Sequence, residues 1–368
     1  MKVVIRTDAS LNIGSGHVMR CLTLAHELKE KGAEITFISR KLDGNLNKHI
    51  RSNGFKLYEL HAVKESKRIE SSDGWLEVSW EEDANETIKV LKSLPKQDLI
   101  IIDHYSIDYK WESQVKLYVN KVFVIDDLAN RKHDCHILLD QNKFQHANER
   151  YKNLIDKNCN LLLGPKFALL RNEFLLNKKE QLQVSKEKVK EIFVYFGAVD
   201  HDNFTEMTLN ALSIFSNKLP IKANVVIGIS NKNRDKIEKI CAENTEFNLY
   251  IQVNNIASLM KSCDIAVGAG GSTTWERCCM GLPSIVIPVA DNQKNPMKEL
   301  AKVGAIILLE NPTETMILER LQNYLLNNEN RLEEVVKAGL NLIDGLGSVR
   351  VAKILMKEVV PNGRTKTL

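Results

Sequence analysis

The sequence predicts an α/β protein built from two Rossmann-like, doubly wound parallel-sheet lobes facing a cleft. Three observations carry that expectation. Short apolar, β-branched runs alternate with helix-length segments along the 368 residues, the pattern of parallel sheets covered by helices on both faces. The alternation breaks once, at the charged stretch 177–191 (NKKEQLQVSKEKVKE). The chain is also too long for one ordinary domain, and a hydrophobic fraction of 43% suffices for two cores.

Taken in order, strands are expected at residues 3–6, 34–38, 99–102, 122–125 and 161–163, with a helix at 19–31 after the first. A second series is expected at 191–196, 222–227, 249–253, 265–267, 284–287 and 305–308, with helices at 202–215 and 274–280. The chain therefore divides into an N-terminal domain at 1–176, a linker at 177–191 and a C-terminal domain at 192–368. The segment 345–359 reads as a helix that packs back across the linker. In doubly wound folds ligands sit outside the carboxyl ends of the strands, so both lobes should present such ends to the cleft.

Composition narrows the partners. A formal charge of +4 is small for this length, and no basic run interleaved with aromatics points to nucleic acid. Seven scattered cysteines without a CxxC pair suit a reducing compartment better than a disulfide framework. The N-terminus, MKVVIRTDAS, runs straight into a strand pattern rather than a leader, and no apolar run is long enough to insert in a membrane. A cytoplasmic monomer is expected. The densest group of possible metal ligands, His133, Asp134 and His136, reads as a solvated turn; neither a metal nor a cofactor is expected.

Two glycine loops carry the chemistry. After the first strand comes Gly14-Ser-Gly16-His17, at the junction with a helix. Such a turn lets backbone N–H groups approach a ligand closely, and a helix N-terminus disfavours imidazolium, which suits a general base. Met19 stands where a dinucleotide fingerprint needs its third glycine, so the loop is not one. The second loop is Gly268-Ala-Gly270-Gly271-Ser272-Thr273-Thr-Trp-Glu276, between an apolar strand and a helix. Its N–H groups, hydroxyls and helix dipole form a diphosphate cradle, with Glu276 placed to accept from two ribose hydroxyls. The alternative for Thr273-x-x-Glu276 is a simple capping box. A third turn, Gly197-Ala198, follows the strand at 191–196 and could admit the same phosphate.

On these residues the chain resembles the UDP-sugar hydrolases of pseudaminic acid synthesis and the spore-coat polysaccharide proteins of the SpsG type. More distantly it resembles MurG-like glycosyltransferases of the GT-B fold. Arg6-Thr-Asp8-Ala-Ser with Ile13-Gly-Ser-Gly-His17-Val-Met-Arg20 looks like the N-terminal motif of that hydrolase family. Asp103-His104-Tyr105 and the blocks running from Ile125 to Asn142 and Gly164 to Arg171 also look like blocks of that family, while Gly270–Glu276 and Asp291-Asn292-Gln293 resemble MurG-like proteins more broadly. One departure is Ala198, where the family often has a second glycine.

The resemblance implies a GT-B-like fold and hydrolysis of the anomeric C–O bond of a UDP-linked 2,4-diacetamido-2,4,6-trideoxy hexose. His17 would deprotonate water. Gly14, Gly16, Asp8, Tyr105, Asn292 and Gln293 would contact the sugar or its phosphate. Gly197, Gly270, Gly271, Ser272, Thr273 and Glu276 would hold UDP. Because UDP leaves more readily than an alkoxide, one base suffices where a glycosidase needs two carboxyl groups, and inversion without a metal is expected. Two other readings use the same lobes: a MurG-like transferase with an acceptor other than water, and a sugar-nucleotide-binding protein without turnover.

Overall fold

The computed structural model describes residues 1–62, 75–178, 191–216, 220–253, 255–327 and 329–359. It divides into two compact units, Met1–Leu169 with Leu346–Leu368, and Leu170–Gly345. The boundary thus falls at Leu169/Leu170, ahead of the expected linker, most of which (179–190) lies outside the described residues. The C-terminal helix Gly347–Val359 belongs to the first unit, not to the second where 192–368 had placed it.

The first unit contains β1 (Lys2–Thr7), β2 (Glu34–Arg40), β3 (Lys56–Leu60), β4 (Gln97–Asp103), β5 (Val119–Ile125), β6 (Ile137–Asp140) and β7 (Asn160–Leu163). They form one sheet in the order β3-β2-β1-β4-β5-β6-β7, with every pair parallel. Side-chain alternation splits its apolar residues between two cores. Val3, Ile5, Leu99 and Ile101 join one cluster, while Val4, Ile100 and Ile102 join the other. The first cluster also receives Val18, Cys21 and Ala25 of the helix Gly16–Glu30, and Val351, Ala352 and Leu355 of the last helix. That last helix begins tightly: a Cβ on Gly347 would meet the Ala168 carbonyl oxygen at 2.1 Å.

The second unit contains β8 (Glu191–Tyr195), β9 (Lys222–Ile227), β10 (Phe247–Ile251), β11 (Ile265–Ala269), β12 (Ser284–Ile287) and β13 (Ile307–Leu308). Their order, β10-β9-β8-β11-β12-β13, is again all parallel. In each sheet the chain starts in the middle, winds outward one way, then returns to wind the other. The doubly wound expectation is met in both units.

Two strands escape sequence reading. β3 is an edge strand, KLYEL, whose five residues include the charged Lys56 and Glu59 and give little apolar signal. β6, ILLD, is four residues long and fully buried, too short to show a period. All seven cysteines are free thiols. No helix among the described residues is long and apolar enough to cross a membrane.

Candidate functional site

In each unit the candidate site residues gather where the winding reverses. In the first, that is between β1 and β4, neighbours in the sheet, with Thr7 opposite Asp103. β1 leads into the glycine loop and the helix Gly16–Glu30, whose second residue is His17. The helix starts three residues before the expected 19, so His17 lies within its first turn. Gly14 has φ of 79°, a left-handed conformation glycine adopts without strain, and its N–H donates to the Ser10 carbonyl at 2.8 Å. Gly16 is exposed, with open space where a Cβ would stand.

His17 is largely buried and its Nδ1 lies 2.6 Å from Asp103 Oδ1 at the end of β4. Arg20, one turn along the same helix, grips the same carboxylate with Nε on Oδ2 at 2.6 Å and Nη2 on Oδ1 at 2.7 Å. Its Nη1 donates to Asp127, just beyond β5, at 2.9 Å. Burial would raise the Asp103 carboxyl, but Arg20 and His17 outweigh it and hold the group well below the usual carboxylate range. An ionised Asp103 only accepts, so Nδ1 of His17 carries a proton, and in the neutral tautomer this selects, the lone pair is on Nε2.

Tyr105 packs edge-on to the His17 ring at 4.6 Å and donates its hydroxyl to Asp127 Oδ1. Burial and Asp127 push that phenol well above its ordinary range, so it stays a donor. Trp75 stacks on Tyr105 at 4.9 Å and presents an edge to His17 at 5.5 Å. Sequence reasoning placed Arg20, Asp103 and Asp127 in matching blocks without giving them a role, and it did not single out Trp75. The i, i+3 spacing of His17 and Arg20, together with the strand order, was the available signal.

Asp8 requires a correction. It is fully buried, paired with Arg6 at 2.6 Å and accepting the Arg40 backbone N–H at 2.7 Å, so its carboxylate does not reach a substrate. Arg6 and Arg40 in turn hold Asp83, each at 2.6 or 2.7 Å, and Trp111 donates to Asp83 at 3.0 Å. This paired network anchors the base of the glycine loop. A second correction concerns His133, Asp134 and His136, of which Asp134 and His136 are partly exposed but His133 is not part of a solvated turn. His133 is buried with Nδ1 2.7 Å from Glu112, Asp134 pairs with Lys116, and His136 accepts from the Val122 N–H. Among the described residues no group of three or more His, Cys, Asp or Glu side chains is arranged to hold a metal.

In the second unit the reversal falls between β8 and β11, and a glycine turn follows each strand. Gly197 has φ of 94°, so the turn after β8 needs its glycine there. Ala198 fits at the next position because Gly228 leaves room: a Cβ on Gly228 would meet the Ala198 carbonyl oxygen at 2.3 Å. After β11, Gly271 at φ 97° is the N-cap of the helix Ser272–Met280. Thr273 is therefore inside the helix and the capping-box alternative fails. Its hydroxyl instead accepts from Arg277 at 3.2 Å.

Gln293, in the helix Asp291–Lys302, accepts from the Val289 N–H at 3.0 Å and lies against Gly270, where a Cβ would meet its Oε1 at 3.0 Å. Asn292, its exposed neighbour, opens the same helix. Ser272 and Thr273 are partly exposed at the helix start. Glu276 Oε1 lies 3.7 Å from Arg171, which also pairs with Glu173 at 2.6 Å. Burial raises the Glu276 carboxyl to about 7 against the pull of Arg171 and Arg277.

The fold and the paired glycine turns define a GT-B-type protein. Residues 191–341 match the glycosyltransferase family 28 C-terminal domain. MurG of Acinetobacter baumannii superposes with a TM-score of 0.68 at 13% identity, over 96% of this chain and 99% of that one. Sequence relatives are more particular. The UDP-2,4-diacetamido-2,4,6-trideoxy-beta-L-altropyranose hydrolase of Campylobacter jejuni is 29% identical over 83% of this chain and 97% of its own length. The spore coat polysaccharide biosynthesis protein SpsG of Bacillus subtilis is 24% identical over 96% and 98%. The chain is a homologue of these proteins, as its motifs implied.

Proposed function

We propose that the chain hydrolyses a UDP-linked 2,4-diacetamido-2,4,6-trideoxy hexose at the anomeric carbon, for the synthesis of a nonulosonic acid or a surface polysaccharide. The observation that carries this reading is His17, held through Nδ1 by an ionised Asp103 with Nε2 left to accept a proton. A histidine fixed in this way by a carboxylate is the usual arrangement of a general base. The likeness to the C. jejuni hydrolase supplies the substrate class.

In the proposed reaction, water attacks C1 on the face opposite UDP and gives its proton to His17 Nε2. The C1–O bond breaks with its electron pair passing to the β-phosphate oxygen, and the anomeric centre inverts. Asp103 faces the positive charge the ring acquires. Gly197, the 270–273 turn and the helix dipole of Ser272–Met280 would receive the leaving diphosphate, and Glu276 the ribose. Tyr105 and Trp75 would offer the sugar an aromatic wall. Neither metal nor cofactor enters this scheme.

The match to a glycosyltransferase domain supports a second reading, in which an acceptor hydroxyl replaces water. One experiment separates them. In heavy-oxygen water, without added acceptor, the hydrolase should release UDP free of label and a labelled sugar, unaffected by EDTA. His17→Ala should lower kcat about a hundred- to ten-thousand-fold with UDP affinity retained. Label in the phosphate, loss of activity to EDTA restored by magnesium, or wild-type turnover by His17→Ala would sink the proposal. UDP release only on addition of an acceptor would favour the transferase.

A further inference from the structure

Behind the 268–271 turn lies a guanidinium that no carboxylate among the described residues reaches within ion-pair distance. Arg277 is fully buried, yet it makes no ion pair among the described residues. Its Nη2 donates to the Ala269 carbonyl at 2.7 Å and to Thr274 Oγ1 at 3.1 Å, and its Nη1 to Thr273 Oγ1 at 3.2 Å. Its buried Nε finds no acceptor. The group presses directly on the loop, since a Cβ on Gly268 would come within 3.0 Å of Nη1. The other buried arginines contrast with it: Arg6, Arg20 and Arg40 each hold two acidic side chains.

A buried charge without a partner is costly, and proteins keep one where a ligand completes the pair. Burial pushes the Arg277 guanidinium down to about 10, with Cys278 and Glu276 pulling it back, so it remains charged at neutral pH. The hydrogen bond to Thr273 has a further effect. Thr273 is partly exposed, and because its oxygen accepts from Arg277, its O–H is left to donate outward. An anion at the turn would meet that O–H, the N-terminal amides of Ser272–Met280, and the field of the cation beneath them.

We propose that Arg277 is the fixed counter-cation of a diphosphate site on the 268–273 turn, acting through the loop and through Thr273 rather than by contact. The inference deepens the UDP reading above and rests on it for the ligand's class. Arg277 is thus a positioning residue, and it should discriminate by charge: a diphosphate should feel it and a bare nucleoside should not.

Calorimetry with UDP, uridine and inorganic pyrophosphate on the full chain tests this. Arg277→Met should weaken UDP and pyrophosphate about ten- to a hundredfold while leaving uridine within about twofold. Arg277→Lys, which keeps the charge, should recover most of the loss. Should the methionine variant fail to fold, Thr273→Val keeps the shape and removes the donor. It should weaken UDP and pyrophosphate about three- to thirtyfold with uridine unchanged. Equal losses for UDP and uridine in Arg277→Met, or wild-type UDP affinity in a folded Arg277→Met or in Thr273→Val, would overturn the inference. Wild-type protein that binds pyrophosphate but gains nothing from the nucleoside would support the anion site while removing the UDP reading. Binding of neither probe would remove the site.

Discussion

At the scale of single residues, the decisive contact joins two side chains 86 positions apart, His17 and Asp103. Asp103 fixes the imidazole tautomer and is itself held at both oxygens by Nε and Nη2 of Arg20. Asp103→Asn keeps the shape but offers an amide that can turn its N–H₂ toward Nδ1, which reverses the tautomer and takes the acceptor away from Nε2. Turnover of the UDP-sugar should fall by about a thousandfold or more, with UDP affinity close to wild type. Steady-state kinetics beside UDP titration checks this, and a folded variant with kcat within tenfold of wild type would refute the assignment. The strand–glycine turn–helix junction that carries His17 was legible in the sequence, because it is a local pattern. Asp103 and Arg20 were not, since their meeting depends on β4 lying beside β1. Asp8 misled for the converse reason: a loop position looks accessible until the arginines around it are placed.

At the scale of elements, the helix Tyr109–Val115 is tied to the turn before β6 by a buried acid–base group. Glu112 accepts His133 Nδ1 at 2.7 Å and the Asp134 N–H at 2.6 Å, while His133 Nε2 faces Asp126 at 3.8 Å. Asp126 also pairs with Arg131 at 2.7 Å. Burial would lower His133, but Asp126 and Glu112 overcome it and raise the group from 6.5 to about 9. The folded protein therefore holds this proton more tightly than the unfolded chain. The stabilisation is fully present below pH 6.5 and is lost as pH rises through about 9. Urea unfolding should show stability falling across that window, and His133→Gln should remove this part of the slope. An identical pH slope in wild type and variant would show that His133 titrates alike in both states. Sequence reading gave this turn to solvent because charged residues crowd 131–136. It could not see Glu112 arriving beneath them, nor β6, whose four residues carry no period.

At the scale of the whole chain, the two doubly wound sheets were legible because buried parallel strands advertise themselves as apolar runs, and a break in that rhythm marked two cores. The unit boundary was less so. A charged stretch such as 177–191 attracts attention as a linker, but membership is decided by which core each segment completes, and the end of the chain completes the first. Val351, Ala352 and Leu355 are each fully buried in the cluster formed by β1, the helix Gly16–Glu30 and β4. Fully burying side chains such as Val351 and Leu355 stabilises by about 1.5–3 kcal/mol each. A carboxylate at either position would have to enter that core without a partner. The double variant Val351→Asp with Leu355→Asp should therefore loosen the first unit, including the helix that carries His17, although both positions are more than three hundred residues from it in sequence. Hydrogen exchange read by peptide should show protection lost in β1, Gly16–Glu30 and β4 but kept in β8, β9 and β11. Equal loss in both units would mean that they unfold as one, and unchanged protection in the first would mean that the last helix contributes nothing to its core.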